Sequence, residues 1–195
     1  MVKGDYAANS GDSNNFDSVG MYEVPDYATA DTTGLWSDTT CGKVTRTGES
    51  PLCQSGVMYY RSELKSSQIT DGTANTYLVG EKYLRPEAYE GAKNATDPGW
   101  SLGENQCLYT GMEWDNHRVA YLPTRTAPGE GVDYYQPRQD TLGYENAGAF
   151  GSAHAGGLNM AMCDGSVQTI SYDIDSDMHR WLASRRDGNV ASLSQ

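Results

Sequence analysis

Apolar and polar positions alternate most regularly in the last third of the chain. Residues 158–163 and 166–172 read as two strand-like runs, and Asp164-Gly165 separates them. Asp and Gly tolerate the positive φ angles of a type I′ turn, so this segment predicts a β-hairpin with a two-residue loop. The same reasoning predicts strands over residues 57–61 and 76–83.

A short helix is predicted after the hairpin. Asp175 or Ser176 can cap its first turn by accepting a hydrogen bond from a free backbone N–H. Gly188 offers a stop after its last turn. The helix would present one apolar stripe at positions i, i+3 and i+4, formed by Met178, Trp181 and Leu182.

The rest of the chain consists of short strand-like runs between segments rich in Gly, Pro, Asp and Asn. This pattern predicts a mainly β (α+β) fold, a loop-rich antiparallel sheet that ends in a hairpin and a short helix. We expect one globular domain over residues 1–195. Its parts are a loop-rich region (1–55), central strands (56–125), an irregular loop (126–149) and the hairpin with the helix (150–195).

The net charge of −12 makes nucleic acid and anionic lipid poor partners. No apolar run approaches the ~20 residues that span a bilayer, so we predict no membrane contact by this segment. Acidic surfaces attract divalent cations. The alternating Asp173, Asp175 and Asp177 resemble a calcium loop, but Met178 stands where an EF-hand needs glycine. A less regular Ca²⁺ site built from carboxylates and loop carbonyls stays open.

His154 and Asp164 are the first candidates for catalysis. The turn explains Asp164 without chemistry, and His154 could hold the entry to the first hairpin strand by hydrogen-bonding loop carbonyls. Ser152 lies nearby, but no G-x-S-x-G motif occurs. Glu81 lies inside a predicted strand and would need a cationic partner, for which Arg118 or Arg61 is available. We favour structural roles for these residues.

An aromatic group offers a candidate ligand site. Aromatic rings beside short polar side chains can hold sugar rings, and this arrangement occurs at Trp100, Tyr109, Trp114 and Asp115. Plain packing of a tyrosine-rich β domain, with 14 Tyr against 2 Phe, is the alternative.

The four cysteines form no C-x-x-C motif. Cys41 and Cys53 flank a polar loop that a disulfide could close, and the spacing alone leaves this open. Cys107 and Cys163 could be buried thiols.

The hairpin region resembles the H-x(9)-D-G domain of the planctomycete pseudopilin-like family, which is also labelled prepilin-type processing-associated or solute-binding family ten. Nine residues separate the histidine from the Asp-Gly turn, and the matching positions are His154, Gly156, Gly157, Asn159, Asp164 and Gly165. The stretch "ITDGTANTYLVGEK" is similar to the family's middle motif, through Asp71, Gly72, Asn75, Thr76 and Glu81. "DYAANSGD" and "HRWLASRRDG" resemble an earlier motif and the C-terminal helix.

The resemblance implies a pseudopilin-like head domain without its filament helix, exported to the periplasm, cell surface or medium. It thereby favours the Cys41–Cys53 disulfide. The implied function is a non-enzymatic structural or adhesive subunit, with other pilin-like subunits or envelope proteins as partners. Two alternatives remain, a module that binds a solute or polysaccharide and a secreted hydrolase that uses His154 with nearby carboxylates.

Overall fold

The structure is a computed structural model that describes residues 3–12, 55–59, 62–91, 94–109, 113–121, 135–189, 191 and 193. Cys41, Cys53 and Arg61 lie outside these ranges, so the disulfide and any pairing by Arg61 stay predictions. Residues 57–59 of the predicted strand 57–61 are described, and they are not in a strand.

Seven strands and one helix form the described fold. The strands are β1 (Tyr6–Asn9), β2 (Tyr77–Glu81), β3 (His117–Arg118), β4 (Arg138–Gln139), β5 (Gly151–Ser152), β6 (Leu158–Met162) and β7 (Val167–Ile170). The helix, α1, spans Ser176–Ala183. Short 3-10 helices span Ser66–Gln68, Thr73–Asn75 and Pro86–Ala88. The predicted mainly β fold with a C-terminal hairpin and helix is confirmed.

The main sheet has the order β3-β1-β2-β6-β7, and β4 pairs with β5 separately. Within the main sheet β1–β2, β2–β6 and β6–β7 are antiparallel, whereas β1–β3 is parallel. The sequence predicted an antiparallel sheet, whereas the main sheet is mixed because one of its strand pairs is parallel. The long connection between β1 and β3 allows the parallel return, because parallel neighbours need a crossover and cannot be joined by a tight turn.

The hairpin loop is one residue longer than predicted. Gly165 N–H donates to the Met162 carbonyl (2.9 Å), and Met162 N–H donates to the Ser166 carbonyl (2.8 Å). Cys163, Asp164 and Gly165 thus form a three-residue loop, and Gly165 has φ +89°. A loop of this kind typically ends in a left-handed glycine, so the type I′ prediction is wrong although the hairpin is confirmed.

The helix begins where the sequence predicts. The Asp175 side chain accepts hydrogen bonds from two backbone N–H groups of the first turn, which is N-cap geometry. The helix ends at Ala183, and Ser184 is already extended (φ −85°, ψ 139°). The predicted stop at Gly188 is therefore wrong.

The core lies between one face of the main sheet and α1. In β6, the alternate residues Leu158, Met160 and Met162 are buried, and Leu182 of the helix packs against them. The members of this cluster with the lowest exposure also include Tyr77, Phe150, Ile170 and Ala183. A second cluster contains Tyr83, Trp114, Val119, Tyr135 and Ala149. Among the helices of the described ranges, none has the length and apolar character to cross a bilayer.

Candidate functional site

A cleft of about 370 Å³ opens beside the end of β2. Strand β5 and the loop that follows it form one wall, and the N-terminal residues 3 and 5 form another. Its charged lining consists of Lys3, Asp5, Glu81, Lys82, Glu104 and Asp140. The volume lies at the lower end of small-molecule sites, and carboxylates outnumber ammonium groups on its walls.

Glu81 and His154 meet at this cleft. His154 Nε2 lies 3.3 Å from Glu81 Oε1, and Asn159 N–H donates to Glu81 Oε2 (2.6 Å). The Glu81 side chain is 13% exposed, whereas that of His154 is 64% exposed. The predicted pairing of Glu81 with Arg118 is not formed. Arg118 is fully buried and donates to backbone carbonyls, among them that of Tyr83 at 3.3 Å.

The two ends of the H-x(9)-D-G stretch do not meet. His154 precedes β6 and Asp164 follows it, so the five-residue strand separates them by roughly 15 Å. Asp164 Oδ1 accepts from the backbone N–H of Ser166 (2.9 Å) and from its hydroxyl (2.7 Å). The structure therefore assigns Asp164 to the turn and brings His154 to a different carboxylate, Glu81.

The backbone carbonyls of the loop after β5 surround the hydroxyl group of Tyr172. The Tyr172 hydroxyl lies 2.7 Å from the His154 carbonyl and 3.1 Å from the carbonyls of Ser152 and Gly157. The expectation that the His154 imidazole binds loop carbonyls is wrong, because the phenol of Tyr172 occupies that position. Gly157 has φ +145°, and a Cβ there would lie 2.3 Å from the Ile170 carbonyl oxygen. Gly156 faces open space.

A buried ion pair forms the inner part of the cleft. Lys82 Nζ contacts Glu104 Oε2 and donates to the carbonyls of Gly103 and Asp115, each at 3.1 Å. The two side chains are 2% and 7% exposed. Burial lowers the pKa of Lys82, and Glu104 opposes this shift. Lys3 also contacts Glu104, so two ammonium groups neutralise one carboxylate.

The middle motif joins distant parts of the backbone. Asp71 accepts hydrogen bonds from the backbone N–H groups of Asp187 (2.7 Å) and Gly188 (3.2 Å). The Thr76 hydroxyl donates to the carbonyl of Gly72, which has φ +102°. Asn75 Nδ2 donates to the Asp71 carbonyl at 3.4 Å. The Thr76 carbonyl in turn accepts from Cys163 N–H in the hairpin loop (2.9 Å).

The aromatic candidate residues have different environments. Trp114 is 2% exposed and belongs to the second core cluster, whereas Tyr109 is 81% exposed. Asp115 is buried, and its Oδ1 accepts from Gln106 N–H (2.7 Å). Trp100 is half-buried. The Trp114 ring is therefore enclosed by protein and does not offer a face to a sugar.

Sequence reasoning missed a buried polar junction at Asn9. Its side-chain amide donates to the carbonyls of Tyr77 (2.9 Å) and Ala183 (2.8 Å), while its oxygen accepts from Gly11 N–H (2.8 Å). Asn9 thus links β1, β2 and the end of α1. One sequence feature could have indicated this junction, namely the asparagine directly after two alanines in "DYAANSGD". Lys82, Glu104 and Asp140 were also missed.

Within the described stretches, no group of three or more His, Cys, Asp or Glu side chains is arranged to hold a metal ion. A Ca²⁺ site elsewhere stays a prediction.

Comparison with known proteins identifies a family. No curated protein matches the chain, and no solved structure matches it. A family model described as "Protein of unknown function (DUF1559)", with the short label SBP_bac_10, matches residues 7–177. Because this match covers most of the 195 residues, the chain belongs to the DUF1559 family.

Proposed function

We propose that the protein is a non-catalytic structural or adhesive subunit of the cell envelope, built as the head domain of a pilin-like protein. One observation carries the proposal. The polar residues of the motifs that resemble the pseudopilin-like family bind backbone groups that are remote in sequence.

Three contacts illustrate this role. Asp71 binds the backbone N–H groups that follow α1. Glu81 of β2 binds the backbone N–H of Asn159 in β6. Asn9 of the "DYAANSGD" stretch binds carbonyls of β2 and α1. Each polar side chain pairs with backbone groups of another part of the chain, and buried backbone groups left unpaired are costly.

These contacts indicate that the motifs specify the fold of the protein. A motif whose carboxylates and amides are engaged with the backbone specifies a fold, and the fold then presents a surface. This supports a subunit that acts through contacts with other pilin-like subunits or envelope proteins. Export to the periplasm, surface or medium is part of the proposal.

The test is mass spectrometry of the mature N-terminus of the native protein isolated from its own cells, together with fractionation of those cells. We expect an N-methylated residue that opens a long apolar helix, and protein in the envelope or surface fraction. A signal-peptidase cut that leaves a soluble domain would remove the filament role. Hydrolytic activity that His154→Ala abolishes in a folded protein would overturn the non-catalytic role.

A further inference from the structure

We propose that the cleft beside Glu81 binds a small organic cation, a molecule that carries an ammonium or guanidinium group. This site is separate from the subunit contacts proposed above and would exist whether or not the protein assembles.

The charges of the cleft do not balance. Glu104 is neutralised by Lys82, with Lys3 close by. Three further carboxylates line the cleft, those of Asp5, Glu81 and Asp140. Among the described residues, none of these three forms an ion pair with a lysine or arginine. The cleft therefore has an excess of negative charge at its opening, within a chain of net charge −12.

The partners of two of these carboxylates are neutral or exposed donors. Asp140 accepts from Leu84 N–H (3.0 Å) and from the Tyr89 hydroxyl (2.6 Å). Glu81 has the backbone N–H of Asn159 and the exposed imidazole of His154. The backbone N–H groups and the Tyr89 hydroxyl satisfy hydrogen-bonding capacity but carry no charge that would compensate the carboxylates.

Glu81 and Asp140 line the same cleft, so a cation bound there would face both carboxylates. Burial raises the pKa of Asp140, and the negative charge of Glu81 adds to that shift. A cation bound in the cleft would be attracted by both carboxylates and would relieve this repulsion, and its binding would favour the ionised form of Asp140. A neutral or anionic ligand of the same size would not reduce this repulsion, so the cleft should bind it more weakly than a cation.

The remaining lining suits an organic cation. The Tyr89 side chain is about half exposed beside Asp140 and lines the cleft, so its ring can contact a cation through its π face. Leu84 contributes apolar surface. The volume of about 370 Å³ lies within the range of small-molecule sites, so it accommodates a chain of several heavy atoms.

The buried Lys82–Glu104 pair forms the rigid floor of the cleft. Both side chains are more than nine-tenths buried and contact each other, and Lys82 also donates to two backbone carbonyls. A cation entering the cleft is repelled by Lys82 and attracted by the outer carboxylates. We therefore place the charged group near Glu81 and Asp140, away from Lys82.

The test is calorimetric titration of the full chain at pH 7.5 with four probes of similar length. Cadaverine carries two ammonium groups and agmatine an ammonium and a guanidinium group, whereas pentane-1,5-diol is neutral and glutarate is anionic. We expect saturable binding of cadaverine or agmatine with Kd on the order of 1 mM, weakened by added salt, and no binding of the diol or glutarate. Backbone amide signals of Gly151, Ser152 and Ala153 should shift in NMR spectra.

Glu81→Gln and Asp140→Asn should each weaken binding by about fivefold or more. Asp173→Asn is the matched control, because this exposed carboxylate does not line the cleft, and it should bind as the wild type does. If neither amine binds, or if both cleft variants bind as tightly as the control, the proposal is wrong. Should a cleft variant fail to fold, the NMR shifts of the wild-type protein decide: shifts spread over the whole acidic surface would also overturn it.

Discussion

The carboxylate of Asp71 accepts a 2.7 Å hydrogen bond from the backbone N–H of Asp187. Its other oxygen accepts from Gly188 N–H at 3.2 Å, and the adjacent Thr70 N–H donates to the Arg185 carbonyl at 2.9 Å. Asp71 is itself buried. The segment after α1 is thus fastened to the turn that precedes β2, although more than 100 residues separate them in sequence.

Asp71→Ala should destabilise the protein strongly. The substitution leaves a buried N–H of Asp187 without its acceptor and weakens the attachment of Gly188, which should cost about 2–4 kcal/mol in the free energy of unfolding. Urea denaturation followed by circular dichroism measures it. Asp173→Ala provides the control, since its exposed side chain should change stability by no more than about 0.5 kcal/mol. Equal stability of the two variants would contradict the structural role of Asp71.

The neighbouring Asp187 predicts a pH dependence of the opposite sign to ordinary acid denaturation. Burial raises its pKa to about 6, and the charges of Asp12 and Asp71 add to the shift. The pKa of Asp187 in the folded protein lies above its ordinary value of 3.8. The contribution of Asp187 to stability is therefore fully present below that value and is lost as the pH rises through 6.

Asp187→Asn should consequently be more stable than the wild type at pH 7.5, on the order of 1 kcal/mol after allowance for solvent screening. The amide oxygen can still accept the hydrogen bond from Asn189 N–H. The advantage should shrink as the pH approaches 4, which urea denaturation at three pH values would show. An advantage that is constant with pH would mean that the Asp187 charge is not responsible.

The strands and the helix that have a clear local sequence pattern could be predicted from the sequence. Strands β2, β6 and β7 alternate or carry apolar runs, and α1 has both a cap and an apolar stripe, so each shows its own signal. Strand β1 has the sequence YAAN, which contains little β propensity, and it forms because β2 and β3 pair with it on both sides.

The cleft was less predictable because its charges depend on remote partners. Lys82 follows Glu81 in a strand-like run, and nothing near it in sequence indicates that Glu104 and two backbone carbonyls will surround its ammonium group. Arg118 was expected beside Glu81 because of its charge. It donates instead to the backbone carbonyls of His117 and Tyr83 in the interior, and only the tertiary structure shows that these carbonyls lie within its reach.

The two glycines after His154 should respond differently to substitution. Gly157 has φ +145° and would bring a Cβ within 2.3 Å of the Ile170 carbonyl oxygen, whereas a Cβ on Gly156 meets no atom within 4 Å. Gly157→Ala should therefore cost at least about 2 kcal/mol, and Gly156→Ala less than about 0.5 kcal/mol. Thermal melting of both variants measures this, and a larger loss for Gly156→Ala would show that the loop is placed differently.

His179 should contribute to acid denaturation. It is fully buried between the rings of Tyr77 and Phe150, with Nδ1 3.3 Å from the Tyr77 hydroxyl. Burial lowers its pKa from 6.5 to about 3, so its contribution to stability is present above pH 6.5 and is lost as the pH falls toward 3.

Between pH 7 and 4.5 the wild type should lose on the order of 2 kcal/mol more than His179→Gln, whose side chain stays neutral. The variant itself should be less stable at pH 7, because the core packing changes. The informative quantity is the slope of unfolding free energy against pH. Parallel slopes for the two proteins would show that His179 does not titrate on unfolding.

The loop between β5 and β6 should depend on Tyr172 more than on His154. The Tyr172 hydroxyl lies within 3.1 Å of three loop carbonyls, whereas the His154 side chain is 64% exposed and reaches Glu81 at the protein surface. Tyr172→Phe should cost about 1 kcal/mol, or about 2–4 °C in Tm, and speed amide exchange in residues 152–157. His154→Ala should stay within about 0.5 kcal/mol of the wild type. A Tm loss larger for His154→Ala than for Tyr172→Phe would reverse this order and make the histidine the residue that holds the loop.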